Sequence, residues 1–153
     1  MVAETGFRIE TVTHEWPRFG DVLDLYYEVL YGPFGVARDF EWYHPANGSV
    51  FAVGLGAEDA LLGSARLLPA AGDEVRQVRQ VVVVPDAQGL GLGRELMTAI
   101  EHTAAEQGAR ELWLNARHTA FGFYEALGWE FSGPLFESEL TGIPHREMRK
   151  QLG

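Results

Sequence analysis

The sequence predicts an α/β (α+β) fold, in which helices pack against a mixed β-sheet. Segments with strand-like apolar patterns are interspersed with three segments of helical spacing, in the order β α β β β α β α β β. The 153 residues are 46% hydrophobic, which suffices for one domain with a sizeable core. We therefore expect a single domain over residues 1–153.

The first half of this order contains a strand, a helix and a hairpin. Residues 7–13 alternate apolar and polar side chains, as in a strand, and residues 21–31 have apolar side chains at helical spacing before a Gly-Pro pair. Two β-rich runs, 49–56 and 60–68, are joined by a short acidic turn. This arrangement predicts a hairpin.

The second half begins with a strand over residues 77–84 that ends in four valines, as expected where both faces of a strand are covered. In the next helix, apolar residues recur at every fourth position from Leu92 to Ala104, and Gly108 stands where a C-terminal cap belongs. The remaining predicted elements are a strand over 109–117, a helix over 119–127 and two closing strands, in WEFSG and PHREMRKQL.

The composition excludes several classes of function. A formal net charge of -10 at pH 7 opposes binding to nucleic acid or to an acidic membrane surface, and it suits an amine-bearing substrate better. Without cysteine there is no disulfide framework or thiol nucleophile, and the five histidines lack metal-ligand spacing, so we expect no metal. No apolar run approaches the roughly 20 residues that span a bilayer, and we expect a cytoplasmic protein.

The stretch VPDAQGLGLGRELM, residues 84–97, carries glycines at 89, 91 and 93 between a strand and a helix. The free N–H groups at such a helix start, together with the positive end of the helix dipole, favour a phosphate that glycine allows to approach closely. Arg94 could add a charge-assisted contact. The alternative is a tight turn that binds nothing, which three alternating glycines fit less well.

Two common phosphate motifs do not match this stretch. The pattern GxxxxGK(S/T) needs a lysine that is absent here, and GxGxxG meets Arg94 or Leu96 at its sixth position when counted from Gly89 or Gly91. A nucleotide- or dinucleotide-binding domain is therefore disfavoured. What remains is the pattern QxxGxG, formed by Gln88, Gly91 and Gly93.

This pattern resembles the pyrophosphate-binding motif (R/Q)xxGx(G/A) of the GNAT superfamily of N-acetyltransferases. The segment AFGFYEALGW, residues 120–129, is similar to the AxxFYxxxGF signature of the same superfamily. The segments SARLLP (64–69) and TGIPHREMRKQL (141–152) resemble the ElaA-like branch. Two departures are Gln88 in place of the commoner arginine and Arg117 where many members have an asparagine.

The resemblance implies a mostly antiparallel central sheet flanked by helices, with a cleft for acetyl-CoA between the fourth and fifth strands. It also implies a small-molecule amine as partner, and a homodimer is one expectation because members often pair through C-terminal strands. The implied cofactor-binding residues are the strand backbone at Val82, Val83 and Val84, the amides of Gln88, Gly89, Leu90, Gly91, Leu92, Gly93 and Arg94, and Phe121 and Tyr124 beside the thioester.

Direct acyl transfer to a neutral amine is the expected chemistry, since no GxSxG nucleophile motif is present. The resemblance makes Tyr124 the acid that protonates the departing thiolate. The base is left open between His145, which titrates near neutrality, and Glu137 and Glu139, each of which could equally be a solvated polar group. Aromatic residues at 31–35 and 41–45 are candidates for the acceptor pocket or for core packing.

The leading hypothesis is thus an acetyl-CoA-dependent N-acetyltransferase that acetylates a primary amine of a small molecule. The alternative is a non-catalytic sensor that binds acyl-CoA without turnover.

Overall fold

A single sheet of eight strands forms the centre of the computed structural model, which describes residues 6–37, 48–70, 72 and 74–153. Its spatial order is β1-β2-β3-β4-β5-β8-β6, with β7 paired to β8. Only β4 and β5 pair in parallel, so the predicted mixed, mostly antiparallel sheet is confirmed. The strands are β1 Arg8–Val12, β2 Val50–Leu55, β3 Leu61–Leu67, β4 Val75–Val83, β5 Glu111–Arg117, β6 Glu130–Phe131, β7 Phe136–Glu137 and β8 Pro144–Gln151.

Three α-helices flank the sheet within the described residues: α1 Phe19–Tyr26, α2 Leu92–Glu106 and α3 Phe121–Ala126. The first begins two residues earlier than predicted, because Phe19 is buried with its ring edge against Phe51, 5.0 Å between centroids. It continues as a π-helical segment, Tyr27–Tyr31, that completes the predicted span. No described helix has the length and apolar character needed to cross a bilayer.

The two faces of the sheet bury separate clusters of apolar residues. The predicted stripe on α2 is confirmed, since Leu92, Leu96, Ile100 and Ala104 are each at most 1% exposed and pack on one face. A Cβ on Gly54 would stand 2.5 Å from Cδ1 of Leu92, so a larger residue at this strand position would force the Leu92 side chain or α2 to shift. The opposite face packs against α1 and its continuation.

The fourth and fifth strands separate after a short parallel contact. Val75–Gln77 of β4 pair with Glu111–Trp113 of β5, and the carboxyl halves of both strands then diverge. Next to this gap the register of β3 and β4 shifts, so that Gln80 and Val81 stand opposite the single residue Ala65. This is a β-bulge, and Gln80 takes the left-handed conformation within it, at φ 54°. A gap thus lies where the cleft is predicted.

Two further details concern the predicted turns and strands. The hairpin of β2 and β3 is confirmed, and its acidic turn places Glu58 and Asp59 at positive φ. The short strand β7 was not predicted. Its two residues carry too little pattern to be recognised, and it is defined by pairing with β8.

Candidate active site

A cavity of about 450 Å³ lies where β4 and β5 separate. Its walls come from both sides of the sheet: Ala120 and Tyr124 from the α3 side, and Leu30 and Tyr31 from the α1 side. The gap therefore connects the two faces at one point. A cofactor on one face and an acceptor on the other could meet there without crossing a packed layer.

The three glycines at 89, 91 and 93, two before α2 and one in its first turn, serve two different purposes. Gly89 and Gly91 have φ of 83° and 85°, and a Cβ on either would meet nothing within 4 Å. These two are needed for backbone conformation, since side-chain residues rarely adopt this region. Gly93 is helical, and a Cβ there would stand 3.1 Å from Cζ of Phe123. This third glycine is needed for close packing of α3 on α2.

The turn leaves a row of backbone amides available. Within the described part of the chain, none of the N–H groups of residues 89–94 donates to a backbone acceptor, and α2 begins at Leu92. Gly91 is the N-cap, so the positive end of the helix dipole coincides with these amides. Arg94 is exposed on the first turn. The arrangement suits a phosphate or pyrophosphate.

The backbone N–H and the side-chain amide of Gln88 already donate hydrogen bonds within the chain, so its predicted contact with an anion is not available. Its backbone N–H donates to the carbonyl of Pro85 at 3.2 Å, and its Nε2 donates to the carbonyl of Val83 at 3.1 Å. The side chain thus ties the turn to the end of β4. The amides left for an anion are those of residues 89–94.

The valines at the end of β4 divide between the two strand edges. The N–H of Val84 donates to the carbonyl of Leu62 on the β3 side at 2.9 Å. Because the backbone groups of successive strand residues point to opposite edges, Val82 shares this direction and Val83 faces the gap. The predicted backbone contact with a ligand in the gap therefore narrows to Val83.

Tyr124 and Phe121 of α3 point in different directions. Tyr124 lines the cavity, is 6% exposed and makes no side-chain hydrogen bond with any described residue. Burial raises the pKa of its phenol above the ordinary value of 10.0, so the proton is retained at neutral pH. Phe121 packs edge-on against Phe131, with centroids 5.0 Å apart, and does not line the cavity. Ala120, one turn before Tyr124, lines the cavity instead.

His145 also lines the cavity, from the start of β8. Its Nδ1 lies 2.7 Å from the carbonyl of Ile143, which only accepts, so Nδ1 carries the proton and Nε2 keeps a lone pair. The pKa of His145 lies below 6.5, chiefly because of burial and also because of the nearby charges of Arg117 and His118. The ring stacks on Phe136. A neutral imidazole with a free nitrogen is thus present at neutral pH.

The two glutamates considered as alternative bases are not in the cavity wall. Glu137 and Glu139 are exposed, whereas Ser138 and Leu140 line the cavity. The extended strand ends at Glu137, so the two carboxylates do not share a strand face. In the described ranges, no cluster of three or more His, Asp or Glu side chains is arranged to hold a metal.

Two arginines are among the cavity residues that were not assigned a role from the sequence: Arg79 on β4 and Arg117 on β5. Arg117 donates to the carbonyl of Leu30 at 2.9 Å, and its guanidinium lies 5.3 Å from the ring centroid of Phe34. Phe34 and Tyr31 belong to the aromatic segment 31–35, so that segment does border the cavity. The other aromatic segment, 41–45, lies outside the described residues.

Comparison with known proteins places this fold in a family. Residues 36–152 match the family described as the acetyltransferase (GNAT) domain. The uncharacterized N-acetyltransferase YitI of Bacillus subtilis is 42% identical over 61 residues, which are 39% of this chain and 40% of that protein. The matched segments span about half of the length of the curated relatives, between 40 and 50% for the first three.

Solved structures share the architecture over nearly the whole chain. Escherichia coli ElaA has a TM-score of 0.79 at 19% identity, covering 94% of this chain and 99% of that one. An aminoglycoside 6'-N-acetyltransferase complexed with coenzyme A has a TM-score of 0.77 at 18% identity, covering 95% of this chain and 97% of that one. At these identities the likeness is one of fold. Together with the match over residues 36–152, it shows that the chain belongs to the GNAT acetyltransferase family.

Proposed function

We propose that this protein is an acetyl-CoA-dependent N-acetyltransferase that transfers the acetyl group directly to a primary amine of a small molecule. The observation that supports this most is the position of the free amides of residues 89–94, which follow β4 at the open end of the gap that Tyr124 lines. Coenzyme A is the ligand in the aminoglycoside acetyltransferase structure of the same fold.

The residues at the turn fit the pyrophosphate of such a cofactor. Six amides without a backbone acceptor lie at the start of α2, and no side chain or backbone fills the space where Gly89 and Gly91 would carry a Cβ. A pyrophosphate could therefore come close to the backbone, and Arg94 would contribute one charge. The backbone N–H of Val83 faces the gap and is offered to the arm that leads from the turn, since the Val83 carbonyl already accepts from Gln88.

Bound acetyl-CoA would supply the thioester carbonyl that the amine attacks and the thiolate that leaves. Nε2 of His145, unprotonated at neutral pH, accepts a proton from the attacking amine. The Tyr124 hydroxyl, which keeps its proton because burial raises its pKa, donates one to the departing sulfur. One N–C bond forms, one C–S bond breaks, and the two proton transfers balance. No covalent bond to the protein is required.

Calorimetric titration with acetyl-CoA tests the cofactor assignment. We expect the unmodified protein to bind and Gly91→Trp, which fills the turn, to lose binding. Gly108→Trp is the matched control, because Gly108 lies just beyond the other end of α2 with a similar φ of 92° and the same open surroundings. Failure of the unmodified protein to bind acetyl-CoA, or equal loss in both variants, would contradict the proposal.

Turnover separates an enzyme from a sensor. Since the chain contains no cysteine, a thiol reagent added to the assay reads only released coenzyme A. Release that depends on an added primary amine supports acetyl transfer. Binding of acetyl-CoA with no release on a broad amine panel supports the alternative, a non-catalytic acyl-CoA sensor.

A further inference from the structure

The charge on the cavity wall is opposite to that of the chain. The chain has a formal net charge of -10, yet the described cavity lining includes Arg79, Arg117 and His145 and no Asp or Glu. We propose that the acceptor amine also carries a carboxylate, and that Arg79 and Arg117 bind this carboxylate. This inference rests on the proposed function and specifies the class of acceptor.

These two arginines lie on the face of the sheet opposite the glycine turn. Arg79 pairs directly with Arg66 across β3 and β4, so both side chains project from the same face. Arg66 in turn lies over the ring of Phe51, which packs with α1. Arg117 reaches the same side, since it contacts Leu30 and Phe34.

The glycine turn starts α2, which packs on the other face. A cofactor pyrophosphate held at residues 89–94 is therefore on the far side of the sheet from the two guanidinium groups. The acceptor would therefore enter from the α1 side, where the positive charge of the two arginines is available to it.

Neither arginine has a carboxylate partner among the described residues. Arg79 makes no hydrogen bond or ion pair there, and Arg117 uses one N–H for Leu30 of the five that a guanidinium offers. Burial lowers the pKa of Arg117, which means that its charge is partly removed from water without a counter-ion. Such a charge is costly until an anion pairs with it.

A carboxylate matches this site in geometry as well as in charge. A guanidinium presents a planar fork that receives the two carboxylate oxygens together, and Phe34 supports the Arg117 group by a cation-π contact. Arg117 is also directly opposite His145 in the pairing of β5 with β8. A carboxylate at Arg117 would hold the attached amine within a short reach of the proposed base.

The test compares acceptors that differ only in this charge. Thiol release is measured with amino acids and ω-amino acids, each beside its carboxamide, and with aminoalkyl phosphates and polyamines. We expect the free carboxylates to exceed their carboxamides in kcat/KM by about tenfold or more, the usual range for a charged hydrogen-bonded contact. Efficient use of polyamines or carboxamides with no gain from the carboxylate would overturn the proposal, as would a preference for aminoalkyl phosphates.

Variants of the two arginines test whether they recognise the acceptor carboxylate. Arg79→Gln and Arg117→Gln should each lower kcat/KM for the amino acid by about tenfold more than kcat/KM for its carboxamide, with the KM for acetyl-CoA unchanged. Arg110→Gln removes an exposed arginine paired with Glu74 and should change nothing. Since Arg79 is exposed, its variant is expected to fold, and equal losses on the acid and the amide would overturn the assignment.

A second measurement does not depend on turnover. N-acetyl amino acids and their amides are titrated into the cofactor-free protein by calorimetry. Tighter binding of the N-acetyl amino acid than of its amide, with this difference lost in Arg117→Gln, supports carboxylate recognition. If acetyl-CoA fails to bind while this preference is found, only the proposed function fails. Acetyl-CoA binding with no preference for the acid overturns this inference alone.

Discussion

Gly93 and the ring of Phe123 lie so close that a methyl group on the glycine would stand 3.1 Å from Cζ. Gly93 belongs to the first turn of α2, and Phe123 precedes Tyr124 on α3. The same glycine therefore lies beside the proposed anion-binding turn and sets the distance between that turn and the proposed acid. A larger residue here should disturb both stability and the site.

Substitution Gly93→Val is expected to lower the free energy of unfolding by about 1–3 kcal/mol, the usual cost of overpacking. Urea denaturation measures this loss. Gly20→Val, at an exposed first-turn position of α1 where a Cβ would meet nothing within 4 Å, is the control for placing valine at a helical glycine. In a Phe123→Ala background the Gly93→Val loss should shrink toward the control; the same loss in both backgrounds would show that the ring is not the cause.

Gln80 is expected to matter more for stability than its neighbour Gln77. It sits at φ 54° in the bulge, accepts from Arg66 Nη1 at 3.3 Å and donates to the Tyr31 hydroxyl at 3.3 Å. Gln80→Ala keeps the strained conformation and leaves the buried Arg66 with fewer partners, so we expect a loss of about 1–3 kcal/mol in urea denaturation. Gln77→Ala on the same strand is the control, and equal losses would contradict this account.

The phenol of Tyr124 is expected to act in chemistry rather than in folding. Tyr124→Phe should lower kcat by about a hundredfold, in the range for loss of a general acid, while the KM for acetyl-CoA and the unfolding midpoint stay near those of the unmodified protein. The midpoint should hold because the hydroxyl bonds to no described residue. Steady-state thiol release and thermal unfolding are the measurements; an unchanged kcat would remove Tyr124 from the mechanism.

His145 should titrate below its ordinary pKa of 6.5, because burial and the Arg117 charge disfavour the imidazolium. The unfolded chain then binds this proton at higher pH than the folded protein does. The contribution of His145 to stability is therefore fully present above pH 6.5 and is lost as the pH falls through the folded pKa. NMR titration of the imidazole measures this value directly.

The variant Arg117→Gln gives the matched comparison for that titration. Removal of the guanidinium charge should raise the pKa of His145 toward 6.5, with burial still holding it lower. The acid limb of kcat/KM should move in the same direction and should disappear in His145→Gln. An acid limb that persists in His145→Gln would mean that another group is the base.

Most of the fold could be predicted from local patterns of the sequence. The stripe on α2 has a strong helical period that burial on one face enforces, and the hairpin is marked by two β-rich runs joined by a short acidic turn. The weak two-residue strand β7 was missed because it depends on pairing with β8. The family motif in residues 88–93 coincides with the glycine turn before α2, since glycine at positive φ is a local requirement.

The sequence by itself determined the main strands, the helices and the glycine turn, because each depends on neighbours within a few residues. Only the tertiary structure decided which side chains share the cavity. Phe121 turns toward Phe131, while Arg117 meets Leu30, 87 positions away, and His145 across the sheet. Such contacts depend on strand pairing and on the divergence of β4 from β5. The net charge of the chain therefore does not determine the sign of the charge in the cavity, since a sum over all residues contains no information about which of them meet.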